Sequence, residues 1–233
     1  MDKRKVFLGL VFGMGALLAA ARYAAATEPF AVDEHTVLLL HLDEKQGDPV
    51  DSGPNKAMVS NQGAGWITPG RFGWALNFNG RDNYLRIMTD KISALSEITI
   101  EAWVCVEEKE TKNTIFYIGG SSSLYGPTLW LFADKGYISL LLSPPEENIV
   151  VWSGKADLSG GWHYVKAVWG KEHNNGVGQI YVDGVKVSGD GKPWKEDLAD
   201  TATMFIGSYQ PGWGDYYFQG KIDEVRISNR ARE

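Results

Sequence analysis

The stretch "GKIDEVRIS", residues 220–228, reads as a β-strand carrying two acids. With the two-residue period of a strand, Asp223 shares a face with Val225 and Ile227, and Glu224 falls on the other with Ile222 and Arg226. A carboxylate in apolar company must be neutralised by a base, by backbone N–H groups or by a cation. Glu224 and Arg226, two apart on one face, are expected to form a surface ion pair. The same period runs back through the chain. In "EITIEAWVCV" (97–106), Ile98, Ile100, Ala102, Val104 and Val106 share one face, and Thr99, Glu101, Trp103 and Cys105 the other. "GQIYVDGVKVSG" (178–189) predicts a hairpin, with Asp183-Gly184 supplying the two positive-φ residues of a type I′ turn. "TVLLLHL" (36–42), "WALNFNGRDNYLRI" (74–87), "NTIFYIGG" (113–120), "PTLWLFADKGYISLLLS" (127–143), "NIVVWSG" (148–154), "GWHYVKAVWG" (161–170) and "TMFIGSY" (203–209) extend the strand set. No stretch of helical period follows residue 26. About a dozen short strands predict an all-β chain, a single antiparallel two-sheet β-sandwich over residues 27–233.

The first 26 residues have another character. Lys3, Arg4 and Lys5 precede an apolar run from Val6 to Ala21, and Ala24-Ala25-Ala26 offers a cleavage site. This is the pattern of a secretory signal peptide, with cleavage after Ala26; a retained membrane anchor is the alternative. Cleavage would remove four bases (Lys3, Arg4, Lys5, Arg22) and one acid (Asp2), leaving 19 bases, 28 acids and a formal charge of −9. Such a balance disfavours nucleic acid and anionic membrane surfaces as partners, and tolerates neutral glycans and divalent cations. The expected location is secreted, extracellular or periplasmic, with no membrane insertion after cleavage. Cys105 is the only cysteine, so no internal disulfide forms, and it reads as a small strand residue.

Five stretches together resemble the laminin-G-like jelly rolls of the concanavalin A-like lectin/glucanase superfamily. "FQGKIDEVRISNRA" resembles that family's terminal strand. "LLLHLDEKQGDPVDSGPN" resembles its opening strand and loop, "RFGWALNFNGRDNYLRI" its strand pair around an F-x-G turn, "ITIEAWV" its F-T-I-x-A-W-V strand, and "GWHYVKAVWG…GQIYVDGVKV" its hairpin. They follow in the family's order across residues 36–231. Pro54 and Lys56 depart from the glycine-rich character expected after "DSG". The resemblance implies a jelly roll, and a structural calcium between the first and last strands. Carried over by position, its ligands would be Asp43, Asp223 and a backbone oxygen at Gly80. Calcium takes six to eight oxygens, so two carboxylates with carbonyls and water would suffice. The alternative for Asp223 is a carboxylate held by backbone hydrogen bonds alone. Asp51 invites an Asx-turn, and Asp82 sits beside the Asn79-Gly80 turn; each is expected to be solvated in its loop, with a further calcium ligand as the alternative.

Catalytic patterns are sparse. Retaining glycosidases of this superfamily carry E-x-D-x-x-E on one strand, and the pattern does not occur here. His163 and Tyr164 are adjacent on one strand, so they point to opposite faces and cannot cooperate as a lyase pair. There is no G-x-S-x-G, no zinc-type histidine spacing and no phosphate-cradling glycine loop. The remaining signal is aromatic. "YQPGWGDYYFQG" (209–220) places Trp213, Tyr216 and Tyr217 in a glycine-rich loop, and Tyr125 stands in another. Loop aromatics of this kind either stack on sugar rings or close the end of a sandwich. The function expected is therefore an exported, non-catalytic module binding a carbohydrate or an extracellular protein. A glycan-degrading hydrolase or lyase, and a passive cell-surface component, are the alternatives.

Overall fold

A computed structural model describes residues 27–89, 95–107, 112–119, 128–143, 149–198, 203–212 and 214–232. The predicted leader, Tyr125 and Trp213 lie outside the described residues. The strands run in chain order as β1 (Thr36–Leu40), β2 (Met58–Gln62), β3 (Gly65–Ile67), β4 (Ala75–Asn79) and β5 (Tyr84–Met88). There follow β6 (Glu97–Val106), β7 (Asn113–Ile118), β8 (Thr128–Asp134), β9 (Tyr137–Ser143) and β10 (Val150–Lys155). The last five are β11 (His163–Gly170), β12 (Gln179–Val182), β13 (Val185–Lys186), β14 (Thr203–Ile206) and β15 (Gln219–Ser228). They form two antiparallel sheets. The first has the order β13-β12-β11-β6-β15-β4-β3, with β1 also on β15; the second has the order β10-β9-β8-β7-β14-β5-β2. Among the described residues no helix is long and apolar enough to cross a membrane.

Alternation explains the layering. Ile98, Ile100, Ala102, Val104 and Val106 of β6 face the second sheet, where Phe116, Ile118, Leu129, Leu131, Leu140 and Leu142 meet them in one buried cluster. Each large side chain fully removed from water there contributes roughly 1.5–3 kcal/mol. The predicted hairpin is present: Asp183 has φ 49° and Gly184 φ 78°, as a type I′ turn requires.

β15 departs from simple alternation. Its first half, Gln219–Ile222, pairs with β4, and its second half, Val225–Ser228, pairs with β1. Two short strands thus share one long neighbour, and the gap between them falls at Asp223 and Glu224. There the pairing with β6 shifts register between Asp223 and Arg226, and Glu224 has φ 49°. This is a β-bulge, and its extra residue resets the alternation. Ile222, Val225 and Ile227 all face the core. Asp223 lies opposite Trp103, and Arg226 opposite Glu101, on the outer face. The expectation that Asp223 shares a face with Val225 and Ile227 is overturned by that one added residue.

The outer face is nevertheless dry. Phe30, Leu39, Trp103 and Tyr164 form a second buried cluster, with Phe72 and Trp162 packed against it. Phe72 meets Trp103 edge-on at 5.9 Å, and Arg71 lies 4.1 Å above the Trp103 ring. The segments around Phe30 and Phe72 therefore roof the face on which the acids of β15 stand.

Candidate functional site

Beneath that roof the acids are held by backbone. Asp223 is fully buried, and its Oδ2 accepts from the N–H groups of Arg71 (2.7 Å) and Phe72 (2.9 Å). Asp43 Oδ1 accepts from Trp74 N at 2.7 Å. The chain leaving β1 and the chain entering β4 thus meet in one turn, closed by Gly70 N–H donating to Gly73 O at 2.8 Å. Gly73 has φ +83°, and a Cβ on it would collide with Asp43 Oδ1; one on Gly70 would meet Asp223 Oδ2. Both glycines are required by this close approach. Glu224, equally buried, accepts from Phe30 N through Oε2 at 2.8 Å, and its Oε1 lies 2.8 Å from His41 Nδ1.

Burial raises the Asp223 carboxyl to about 7. The N–H groups of Phe72, Arg71 and Glu224 oppose the shift, and the Glu224 charge adds to it. Burial also raises Glu224, against the pull of the Phe30 N–H and His41 and with a push from Asp43. Asp223 Oδ1 has no hydrogen-bond partner, although it is buried.

Gly80 is not brought to these acids. Its neighbour Asn79 pairs with Gln219, at the far end of the β4–β15 ladder, whereas Asp223 lies beyond Ile222 at the near end. Gly80 N–H donates to Phe218 O in the β4–β5 turn. Among the described residues, no three His, Cys, Asp or Glu side chains converge as a metal group. What fits a hard cation is narrower: the unpartnered Asp223 oxygen, with Asp43 on the same turn. Carbonyls and water would have to supply most of the shell.

Other acids are structural. Asp51 makes the predicted Asx-turn, with Oδ1 accepting from Gly53 N at 2.8 Å. It is not solvated, however: Oδ1 also takes Leu39 N (3.0 Å), Oδ2 takes Ala57 N (2.8 Å), and the residue is buried. Two N–H groups of its own loop, Gly53 and Ala57, together with the Leu39 N–H of β1, explain that difference. Asp82 stays in an exposed loop, accepting from Asn79 Nδ2 at 2.8 Å. The Glu224–Arg226 surface pair does not form, because the bulge turns Glu224 to Phe30 and His41. Arg226 instead reaches Glu101, with Nε and Nη2 both 2.7 Å from Oε2, while Tyr164 Oη donates to Oε1 at 2.6 Å. Burial and the Glu101 charge push the Tyr164 hydroxyl far above its usual range. His163 bridges Asp183 Oδ2 (2.8 Å) and Ser159 O (3.2 Å), so both ring nitrogens are engaged.

The second sheet carries the aromatic surface. Register aligns Ser60, Arg86, Phe205, Tyr117, Trp130, Leu141 and Val151 as one outward row across its seven strands. Tyr209 stacks over the row, 4.6 Å from Tyr117 and 4.5 Å from Trp130, and Tyr216 lies 5.5 Å from Trp130. Tyr217 lies 6.4 Å from Tyr84. The loop aromatics therefore pack down on the sheet face, not across an open end, and Tyr117, Trp130, Phe132 and Phe205 are buried by the arrangement. Lys112 sits over this layer, its ammonium 5.0 Å from the Trp130 ring and 4.8 Å from Phe132.

At the β5–β14 side the cover is incomplete. A cleft of about 260 Å³ opens there, lined by Tyr84, Arg86, Thr203, Phe205, Gln210 and Pro211. Tyr84 and Phe205 meet edge-on at 6.0 Å. Of the candidate loop aromatics, Tyr216 and Tyr217 do not line this cleft, and sequence reading missed the residues that do. Their only signal was the alternation of "YLRIM" (84–88), which puts Tyr84 and Arg86 on one face without saying which face is open.

Two antiparallel sheets with this closing strand define a jelly-roll sandwich. A family profile described as the concanavalin A-like lectin/glucanases superfamily, of laminin G type, matches residues 79–233, and the chain belongs to that superfamily. No curated protein sequence matches the chain. Among solved structures, domain 4 of AbnA, an extracellular arabinanase from Geobacillus stearothermophilus seen with arabinotriose, is similar. It shows a TM-score of 0.62 and 19% identity, over 85% of this chain and 94% of that one. The botulinum neurotoxin serotype D binding domain superposes with a TM-score of 0.64 and 12% identity, over 85% of this chain and 49% of that one. A botulinum neurotoxin DC binding domain in complex with rat synaptotagmin II gives 0.64 and 12%, over 87% and 50%. The chain thus spans about half the length of the toxin binding domains it matches.

Proposed function

We propose that this chain is an exported, non-catalytic recognition module that binds a carbohydrate through the outer face of its second sheet. The observation that carries the reading is the cleft at Tyr84 and Phe205, where aromatic rings stand beside the polar groups of Arg86, Thr203 and Gln210. Aromatic faces stack on the apolar faces of sugars while polar neighbours fix their hydroxyls. The arabinotriose complex of the similar arabinanase domain supports it. The buried acids Asp51, Glu101 and Glu224 are each engaged by fold-holding partners, which fits a binding role for them less than a structural one. Export rests on the leader pattern of residues 1–26. Binding of the chain to immobilised oligosaccharides, weakened about tenfold by Tyr84→Ala, is the expected result, a factor worth about 1.4 kcal/mol. Binding to no glycan, or binding only to an extracellular protein, would sink the carbohydrate reading.

A structural calcium belongs to the same proposal, on the strength of the buried, unpartnered Asp223 Oδ1, with Asp43 bound to the same 70–74 turn that caps Asp223. Calcium at millimolar concentration should raise the melting temperature, a chelator should reverse the rise, and Asp223→Asn should abolish it. A melting temperature indifferent to both additions removes calcium from the account.

A further inference from the structure

The sugar-binding reading leaves the ligand's charge open, and Arg86 addresses it. Arg86 is exposed, and its guanidinium makes no ion pair or hydrogen bond with any described residue. Its position explains why. The outward residues around it are Ser60 on β2, Phe205 on β14, and Tyr84 and Met88 on its own strand, none of them acidic. Along the row, a second cation, Lys112, rests on Trp130 and Phe132. This is unusual for a chain of net charge −6, where acids outnumber bases 29 to 23.

A second charged cleft provides a contrast. It lies between Asp33, Glu97, His173, Arg230 and Arg232, and its cations are already paired. Arg232 reaches Asp33 at 2.7 Å, and Arg230 lies 3.1 Å from His35 Nε2. Of the two clefts, the one with aromatic walls holds the unpaired guanidinium.

We propose that the Arg86 cleft selects an acidic sugar, one bearing a carboxylate or a sulfate. A planar guanidinium presents parallel N–H donors that match the two oxygens of such a group. Tyr84, only partly buried, flanks that point and gives the ring a surface to lie on, with the largely buried Phe205 forming the floor, while Thr203 and Gln210 line the same cleft. The net negative charge of the chain opposes loose adsorption of polyanions, so capture depends on this local arrangement. Lys112 lies three strands away from Arg86, roughly 14 Å at about 4.8 Å per strand, and marks a direction in which an acidic oligosaccharide would extend.

The inference rests on the carbohydrate reading above, and its test separates the two. The full chain is titrated with a uronate oligosaccharide, a sulfated oligosaccharide, a neutral oligosaccharide of matching length, and inorganic sulfate alone. Arg86→Ala and Arg86→Lys are run beside it. Expected is preferential binding of one acidic oligosaccharide, with the winner telling carboxylate from sulfate. Arg86→Ala should cut that affinity ten- to hundredfold, a larger loss than it causes for the neutral oligosaccharide, and leave the melting temperature unchanged. Arg86→Lys should restore part of it, and raised salt should weaken it. Equal or tighter binding of the neutral oligosaccharide, or an Arg86→Ala chain that binds acidic sugars normally, overturns the acidic selectivity and leaves sugar binding intact. Response to inorganic sulfate without any oligosaccharide preference overturns it as well. Binding of no oligosaccharide at all overturns both readings.

Discussion

Glu101→Ala should lower the folding stability by about 3 kcal/mol, measured as a shift of the urea midpoint at unchanged slope. Glu101 is buried in the centre of β6 and is the sole carboxylate serving two partners, Tyr164 and Arg226. Its removal strands the guanidinium above Phe30, 4.7 Å from the ring, with one carbonyl, Ala31 O at 3.2 Å, as its remaining partner. Breaking one side of a buried pair costs about 3–5 kcal/mol, and the lower end applies because the Arg226 side chain keeps 15% of its exposure. The double variant Glu101→Leu with Arg226→Met should recover much of the loss, since it leaves no uncompensated charge. A single-variant loss under 1 kcal/mol would mean that water already reaches the pair.

Asp223 should make the chain less stable as pH rises. Its folded pKa of about 7 stands above the ordinary 3.8, so the folded state holds a proton that the unfolded chain releases. Stability is full below about pH 4, falls between about pH 4 and pH 7, and levels off above. The size is bounded by the shift, up to about 4 kcal/mol at 1.36 kcal/mol per unit. Glu224 is raised for the same main reason and adds a slope of the same sign. Asp223→Asn keeps an acceptor for the Arg71 and Phe72 N–H groups and removes the charge. In chelator it should be more stable than the parent at pH 8 and equal to it near pH 4. Saturating calcium should invert the order at pH 8. If denaturation curves for parent and variant run parallel from pH 4 to pH 8, the buried carboxyl is not the source of the slope.

Much of the architecture was legible because most strands obey one rule. β6 could be assigned face by face from its spelling, and Asp183-Gly184 named its own turn. The bulge in β15 was not legible. Nothing in "GKIDEVRIS" announces that two short strands will share this one, and the extra residue is a response to partners far away in sequence. That single feature moved Asp223 to the other face and separated Glu224 from Arg226. The cleft was not legible for a similar reason. Loop aromatics stand out in a sequence, whereas Tyr84, Arg86 and Phe205 are ordinary strand residues until a register aligns them. Asp51 shows the reverse case, a local turn read correctly whose burial depended on a distant strand.

The position of β15 also bears on the order of events at synthesis. It is central in its sheet, hydrogen-bonded to β6, β4 and β1, yet it comes after the other fourteen described strands in chain order. While residues 219–228 are still inside the ribosome, β1 and β4 have no common neighbour, and β6 lacks one of its two. Long-range pairing of this sort cannot begin early, so the inner edges of β1, β4 and β6 stay unpaired until β15 arrives, while pairs such as β8–β9 and β11–β12 need no part of it. A sandwich closed by its fifteenth strand cannot join β1, β4 and β6 into one sheet until residues 219–228 have emerged, so the closing of that sheet is tied to release of this segment.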